Sequence, residues 1–468
     1  MTTLDTSADT GKADFHEVAA SFLDQPGLPF TDSLNATDIE QIFAEHSALF
    51  ATDAIYSTPL VLWAFLAQVL RDGKGAACAN AVADIATYTQ QAARPAPSGN
   101  TGDYCRARAK LDLTALGDLV RQSARRLDDQ TRPEWLWQGR HAKLVDGFTF
   151  TMPDTPANQD AFPQQTSQDP GVGFPIARAC AVLSLSTAAI HDVAIGPYAG
   201  KETGETALLR TMIDGFDSGD VVVFDRYYCS YMMLALLKLR GLDVCARLHQ
   251  CRPDDFRQGR PIGAYDRLVT WSRPARPAWM PQEQYEEIPE TLTLRMLQFD
   301  VTVPDRRTET ITIITTMTDP AAYPKEAIAE LYGYRWNVEL DIRVIKQTLG
   351  LNHARCKSPG MVERELRVTL LAYNLIRKVI ATAAVVHDKQ PRQIGFTLAC
   401  QTVLSSWMLM ATGACRDTQA MTDSALSRIA ANEVANRPGR MEPRVLKRRQ
   451  HGYPLMTQPR ANYGKAIA

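Results

Sequence analysis

The sequence predicts a mixed α/β fold, a sheet that opens with antiparallel strands and is flanked by helices towards both ends of the chain. Three observations lead there. Residues 1 to about 130 carry helical spacing and no strand pattern of any length. From residue 143 onward, short apolar runs bounded by Gly, Pro and Asp alternate with helical stretches. A succession of helical patterns then fills residues 326 to 412. At 468 residues the chain is too long for one core. The shifts in pattern divide it into an all-helical domain (1–130), the first part of a core (131–251), a β-rich insertion (252–316), the second part of the core (317–390) and a helical C-terminal region with a basic tail (391–468).

In chain order, helices are expected near 36–50, 57–71, 76–93 and 104–127, where Leu111, Leu113, Leu116, Leu119 and Val120 recur at helical spacing. Lys143–Met152 (KLVDGFTFTM) reads as a strand closed by Pro153, and a polar segment follows to Pro175. Strands over 179–185 and 189–195 make the antiparallel start of the sheet. After a helix over 204–216, the all-apolar run Val221–Phe224 lies between Gly219-Asp220 and Asp225, the pattern of a strand buried on both faces. A helix over 230–241 and a strand over 243–249 follow, then insertion strands at 267–271, 291–303 and 308–316. One long helix is expected from 326 to 349, and two more over 360–387 and 393–412.

Composition bounds the function only loosely. Lys and Arg number 51 against 52 Asp and Glu, a formal charge of −1, so no overall basic balance announces a nucleic-acid partner. Phosphate contacts depend on local clusters, however. The nine cysteines have no framework spacing and fit a reducing compartment. Cys245, His249 and Cys251 match no zinc pattern and read as structural residues. The polar, acidic N-terminus is neither a secretory signal nor a transit peptide. Leu60–Leu70 is interrupted by Gln68 and too short for a bilayer, so no membrane partner is expected.

The chemistry concentrates in Leu331–Gly350 (LYGYRWNVELDIRVIKQTLG). On one continuous helix Tyr332, Arg335, Glu339 and Lys346 share a face, while Leu340, Val344, Ile345 and Leu349 fall to one side and hold the helix on a core. By charge alone, this stripe is equally an exposed helix with an Arg335–Glu339 pair. Two further carboxylates change its meaning. Asp225 ends a strongly apolar strand, and Asp146 follows Leu144-Val145 in another; a carboxylate in such surroundings is costly without a cation. Three carboxylates on two strands and a helix suit two divalent ions, which take hard oxygen ligands. Asp154, beyond Pro153, competes for the first position but sits where a turn residue is expected.

The spacing Y-x2-R-x3-E-x6-K resembles the motif carrying the last acidic residue in bacterial insertion-sequence transposases of the DDE class, cut-and-paste enzymes with an RNase-H-like core. LVDGFTFTMPDT and VVVFDRYYCS are similar to that family's first- and fourth-strand segments, and the likeness runs from about residue 55 to 460. It implies Asp146, Asp225 and Glu339 as catalytic residues and as ligands of two Mg²⁺ ions, with Mn²⁺ as a substitute. It implies Tyr332, Arg335, Lys346 and Arg226 as phosphate contacts. It also implies double-stranded DNA as partner (terminal inverted repeats and target), a homodimer in the synaptic complex, and a bacterial cytoplasmic, nucleoid-associated location. In that family one site nicks the transposon end, forms and resolves a hairpin, and joins the end to target DNA.

Other DNA contacts are expected at Arg106, Arg108 and Lys110, with Arg121, Arg125 and Arg126 beyond them, and at Arg257 and Arg260 in an insertion that also carries Arg273 and Arg276. Trp271 and Trp279 are packing residues or platforms for an extruded base. The basic tail Arg437–Arg449 is a solvated segment or a DNA-contacting arm. Two other functions compete: a DNA-binding protein that keeps the fold without transposing, and a two-carboxylate glycosidase, which leaves the cationic stripe unexplained.

Overall fold

The computed structural model describes residues 36–51, 54–91, 95–301, 309–411, 417–434 and 456–463. The basic tail at 437–449 lies outside them. Helices α1 (Ala36–Glu45), α2 (Thr58–Val69), α3 (Cys78–Gln91), α4 (Thr101–Lys110) and α5 (Leu113–Asp129) come first. Then follow β1 (Ala142–Thr151), α6 (Pro156–Ala161), β2 (Ile176–Ser184), β3 (Ile190–Pro197), α7 (Glu205–Arg210), β4 (Val221–Phe224), α8 (Tyr231–Leu239) and β5 (Asp243–Arg247). Next are β6 (Arg260–Gly263), β7 (Asp266–Ser272), α9 (Gln282–Glu287), β8 (Thr291–Val301) and β9 (Glu309–Thr315). The described chain continues through α10 (Lys325–Gly333), α11 (Trp336–Gln347), α12 (Pro359–Val386), α13 (Phe396–Ala411) and α14 (Thr418–Ala431). Among the described residues two compact units result: one of those up to 129 with 348–350 and 363–433, the other of 130–347 and 351–362 with those from 434 on.

The first unit is helical. Every residue of α2 is buried, including Gln68, whose side chain accepts from Tyr104 Oη and Arg108 Nη1, each at 2.9 Å. The single helix expected over 104–127 is two helices, because Asp112 Oδ1 accepts from Ala115 N at 2.9 Å and starts the second one afresh. Most of α12 runs through this unit, with Asn374 Nδ2 bonded to Val120 O at 3.2 Å and Ser123 Oγ at 3.0 Å. Its apolar length would suffice to cross a bilayer, but 89% of that window is buried inside the protein, so it is a core helix.

The second unit is built on one nine-stranded sheet in the order β3-β2-β1-β4-β5-β9-β8-β7-β6. β1 pairs antiparallel with β2 but parallel with β4, and β4 parallel with β5. The four apolar residues of β4 are all buried, as expected for a strand in the middle of such a sheet. The insertion strands do not form a sheet of their own: β9 joins β5 antiparallel and carries β8, β7 and β6 outward. Arg295 on β8, 1% exposed, is held by Asp266 on β7 (Nε to Oδ1, 2.8 Å) and by the Tyr323 carbonyl.

Candidate active site

Leu144 on β1 pairs with Val223 on β4. Two residues further along each strand, Asp146 and Asp225 therefore leave adjacent parallel strands on the same face. Asp146 keeps its place in the ladder opposite Ala181, and its Oδ1 accepts from Gly147 N at 2.9 Å. Asp225 caps the short 3₁₀ turn Arg226–Tyr228, accepting from Tyr227 N at 2.8 Å. Asp154 is exposed beyond the end of β1 and accepts from Gln159 Nε2, a loop role.

The helix expected over 326–349 is broken. α10 ends at Gly333 and α11 begins at Trp336, with Tyr334 and Arg335 in a turn between them. Three-residue hydrogen bonds tighten this passage: Arg335 N to Tyr332 O at 3.0 Å and Asn337 N to Tyr334 O at 2.9 Å. Glycine, with its high backbone entropy, suits such a stop. The stripe is thus divided, with Tyr332 at the end of α10, Arg335 in the turn, and Glu339 and Lys346 on α11. The apolar side also differs: Val338, Ile342, Ile345 and Leu349 are buried, whereas Leu340 is 41% exposed.

Arg335 links the two halves of the site. Its Nη2 donates to Glu339 Oε1 at 2.6 Å, and its Nη1 lies 3.6 Å from Asp146 Oδ2. Burial pushes Asp146 up to about 7; the Gly147 amide and Arg335 oppose that, while Asp225 and Glu205 add to it. Burial by itself would lower the Arg335 guanidinium, but Glu339, Tyr332 and Asp146 together raise it. Tyr332 is 8% exposed and pushed by burial up to about 12, so at neutral pH its phenol keeps the proton and can donate. Lys346 is half-buried, and burial lowers its ammonium.

A family model for the transposase DDE domain matches residues 137–375, which contain all three carboxylates and the whole Arg335 turn. The chain belongs to the DDE transposase family. The transposase InsG of insertion sequence element IS4 from Escherichia coli (strain K12) is 28% identical over 357 residues, covering 74% of this chain and 76% of that protein. A cryo-EM structure of a piggyBac transposase synaptic complex with hairpin DNA aligns with a TM-score of 0.43 and 9% identity, over 91% of this chain and 88% of that one. Membership makes this chain a DNA-acting transposase and sets aside the glycosidase alternative.

Enzymes of this family act with divalent metal ions, and the three candidate carboxylates have a chemistry that fits them: oxygen donors only, with Asp225 repelling the charge of Asp146. Among the described residues, no three Asp, Glu, His or Cys side chains already converge on one point. Glu339 is instead held by Arg335.

The other expected DNA contacts divide by exposure. Arg106 and Lys110 are exposed, with Arg106 paired to Asp103. Arg108 is not available to a phosphate. It is 7% exposed, its guanidinium 4.7 Å from the Phe65 ring centroid and 5.0 Å from that of Tyr104. Arg257 is exposed and paired with Asp255 (Nε to Oδ1, 2.8 Å), and Arg260 starts the exposed edge strand β6. Arg226 lies in the turn capped by Asp225. Arg273 and Arg276 donate to main-chain carbonyls within the insertion, a structural use. Both tryptophans carry a guanidinium on one face: Arg252 lies 3.6 Å from the Trp271 centroid and Arg210 3.8 Å from that of Trp279. Both are also packed against the core of this unit.

Two residues near the aspartates escape a reading of the sequence. Val223 pairs with Cys245, so Arg247 stands beside Asp225 on the next strand; it is ion-paired to Glu309 and acts electrostatically on Tyr332. Glu205, raised by burial, accepts a hydrogen bond from Tyr228 and interacts electrostatically with Asp225. Only the register and the packing of α7 bring these residues in; neither belongs to a motif.

Proposed function

We propose that this transposase excises and reinserts an insertion sequence by a cut-and-paste route, through phosphodiester hydrolysis, hairpin formation and strand transfer at the transposon ends. The observation that carries the reading is the placement of Asp146 and Asp225 side by side, with Arg335 spanning Asp146 and Glu339. The IS4 transposase of similar sequence supports the assignment to an insertion sequence. On this reading β1 to β5 with α11 form an RNase-H-like core, 252–316 a β-rich insertion, and the first helices an end-binding domain.

Asp146, Asp225 and Glu339 would hold two Mg²⁺ ions, or Mn²⁺, which when bound supply an activated hydroxyl nucleophile and stabilise the leaving 3′-oxygen. The Arg335 guanidinium, paired with Glu339 at 2.6 Å, would take the non-bridging oxygens of the scissile phosphate, a bidentate contact that suits Arg. Tyr332 donates its phenolic hydrogen to the same phosphate, and Lys346 and Arg226 add positive charge along the backbone. Arg106, Lys110, Arg257 and Arg260 contact flanking phosphates. A base extruded near the hairpin would stack on Trp271 or Trp279. Two copies act on paired ends as a homodimer, in the bacterial cytoplasm at the nucleoid.

End-labelled DNA carrying the element's terminal repeat, incubated with Mg²⁺ and resolved on denaturing gels, tests the scheme. Nicked, hairpin and strand-transfer products should appear in turn, and all should vanish with Glu339→Ala. Equal products from wild type and Glu339→Ala would refute the catalytic assignment. End binding without any product would favour a protein that keeps the fold and only binds DNA.

A further inference from the structure

Glu205 opens α7, outside the motif and outside the three carboxylates. Its side chain lies over Gly147, the residue after Asp146. A Cβ at position 147 would come within 2.0 Å of the Glu205 carboxyl carbon, so the glutamate occupies the space that glycine leaves. Oε2 of Glu205 accepts from the Tyr228 hydroxyl at 3.2 Å. Tyr228 closes the 3₁₀ turn capped by Asp225. The same hydroxyl lies 3.6 Å from Cys180 Sγ, and Cys180 is the β2 residue paired with Gly147. The side chain of Glu205 thus touches the strand that bears Asp146 and the turn that bears Asp225. A residue there only to fill space would be better served by an apolar side chain, because a carboxylate in a partly buried site costs desolvation.

We propose that Glu205 is a positioning residue for strand cleavage: seated against Gly147 and hydrogen-bonded to Tyr228, it fixes the separation of Asp146 and Asp225. The proposal rests on the catalytic assignment of those two aspartates. It acts through shape and a hydrogen bond, so an isosteric acceptor should replace it.

The test uses the full chain, single-turnover cleavage of labelled transposon-end DNA, and electron paramagnetic resonance of Mn²⁺ to measure metal binding without DNA. Glu205→Ala should bind end DNA as wild type does but cleave about 10²-fold more slowly, the loss expected from a misplacement of about 1 Å. Its half-saturation for Mn²⁺ should rise several-fold. Glu205→Gln, whose amide oxygen still accepts from Tyr228, should recover both properties to within about threefold. Tyr228→Phe should be slow, and Tyr228→Phe combined with Glu205→Ala no slower than the worse single variant.

Wild-type cleavage by Glu205→Ala overturns the proposal, and so does a Glu205→Gln variant as slow as the alanine one. If Glu205→Ala does not fold, the comparison of Glu205→Gln with Tyr228→Phe decides alone. Asp146→Asn and Asp225→Asn run alongside. If either cleaves normally, the catalytic assignment falls and this proposal with it; if both are dead and Glu205→Ala is normal, only the role of Glu205 falls.

Discussion

The guanidinium of Arg335 holds the carboxylate of Glu339 at 2.6 Å, and its other terminal nitrogen lies 3.6 Å from Asp146. The Arg335 cation thus stands between two of the carboxylates proposed to meet around metal. Lysine reproduces the charge but not the planar fork. Arg335→Lys should therefore bind transposon ends while its cleavage rate falls by about 10²-fold, the size of loss seen when one charge-stabilising donor is removed from an active site. Single-turnover cleavage at saturating metal measures this, and a lysine variant as fast as wild type would refute it.

The pH dependence of stability follows from Asp146. Its ordinary value is 3.8 and its folded value about 7, so between those limits the folded protein keeps a proton that the unfolded chain has lost. Stability of the metal-free protein should fall as pH rises through that window, by up to ~4 kcal/mol from this group. Glu205, also raised by burial, adds to the same slope. Asp146→Asn should flatten it. Urea melts of both proteins between pH 4 and pH 8 compare the slopes directly. Because metal must displace that proton, Mn²⁺ affinity should also climb with pH up to about 7.

The insertion hangs on a buried ion pair. Arg295, 1% exposed, is bound by Asp266 and the Tyr323 carbonyl. Arg295→Ala leaves Asp266 buried and uncompensated, so the protein should lose about 3–5 kcal/mol of stability. Replacing both partners with apolar residues of similar volume should recover most of the loss. Chemical denaturation of the single and double variants tests this.

Arg106, Arg108 and Lys110 should separate cleanly. Arg108 packs between Phe65 and Tyr104 and bonds Gln68, so Arg108→Ala should lower stability by about 1–3 kcal/mol. Arg106→Ala and Lys110→Ala should leave stability unchanged. Each should reduce the salt dependence of end binding by about one phosphate contact. Fluorescence anisotropy across a salt series reads both effects.

Much of this arrangement is legible in the sequence, and the rest depends on tertiary facts. β1 and β4 are visible because their apolar runs stop at turn residues, so Asp146 and Asp225 could be singled out. Their adjacency could not: it depends on a parallel register between strands far apart in the chain. The break after Gly333 is hidden because helical spacing reads straight through one glycine; the turn shows only in the three-residue hydrogen bonds. Arg108 looks like its exposed neighbours until the fold turns it inward between two rings. Three of the insertion strands are recognisable while the short β6 is not, and nothing in their pattern shows that β9 extends the main sheet. Glu205 leaves no mark except the glycine it requires at 147.

Cleavage of labelled transposon-end DNA by wild type, Asp146→Asn, Asp225→Asn and Glu339→Gln, each titrated with Mg²⁺ and Mn²⁺, bears most directly on the central claim. Wild type should cleave only with a divalent ion, and all three variants should bind the end yet yield no product at any metal concentration. Metal-independent cleavage by wild type, or wild-type product from any one of the three, would contradict it.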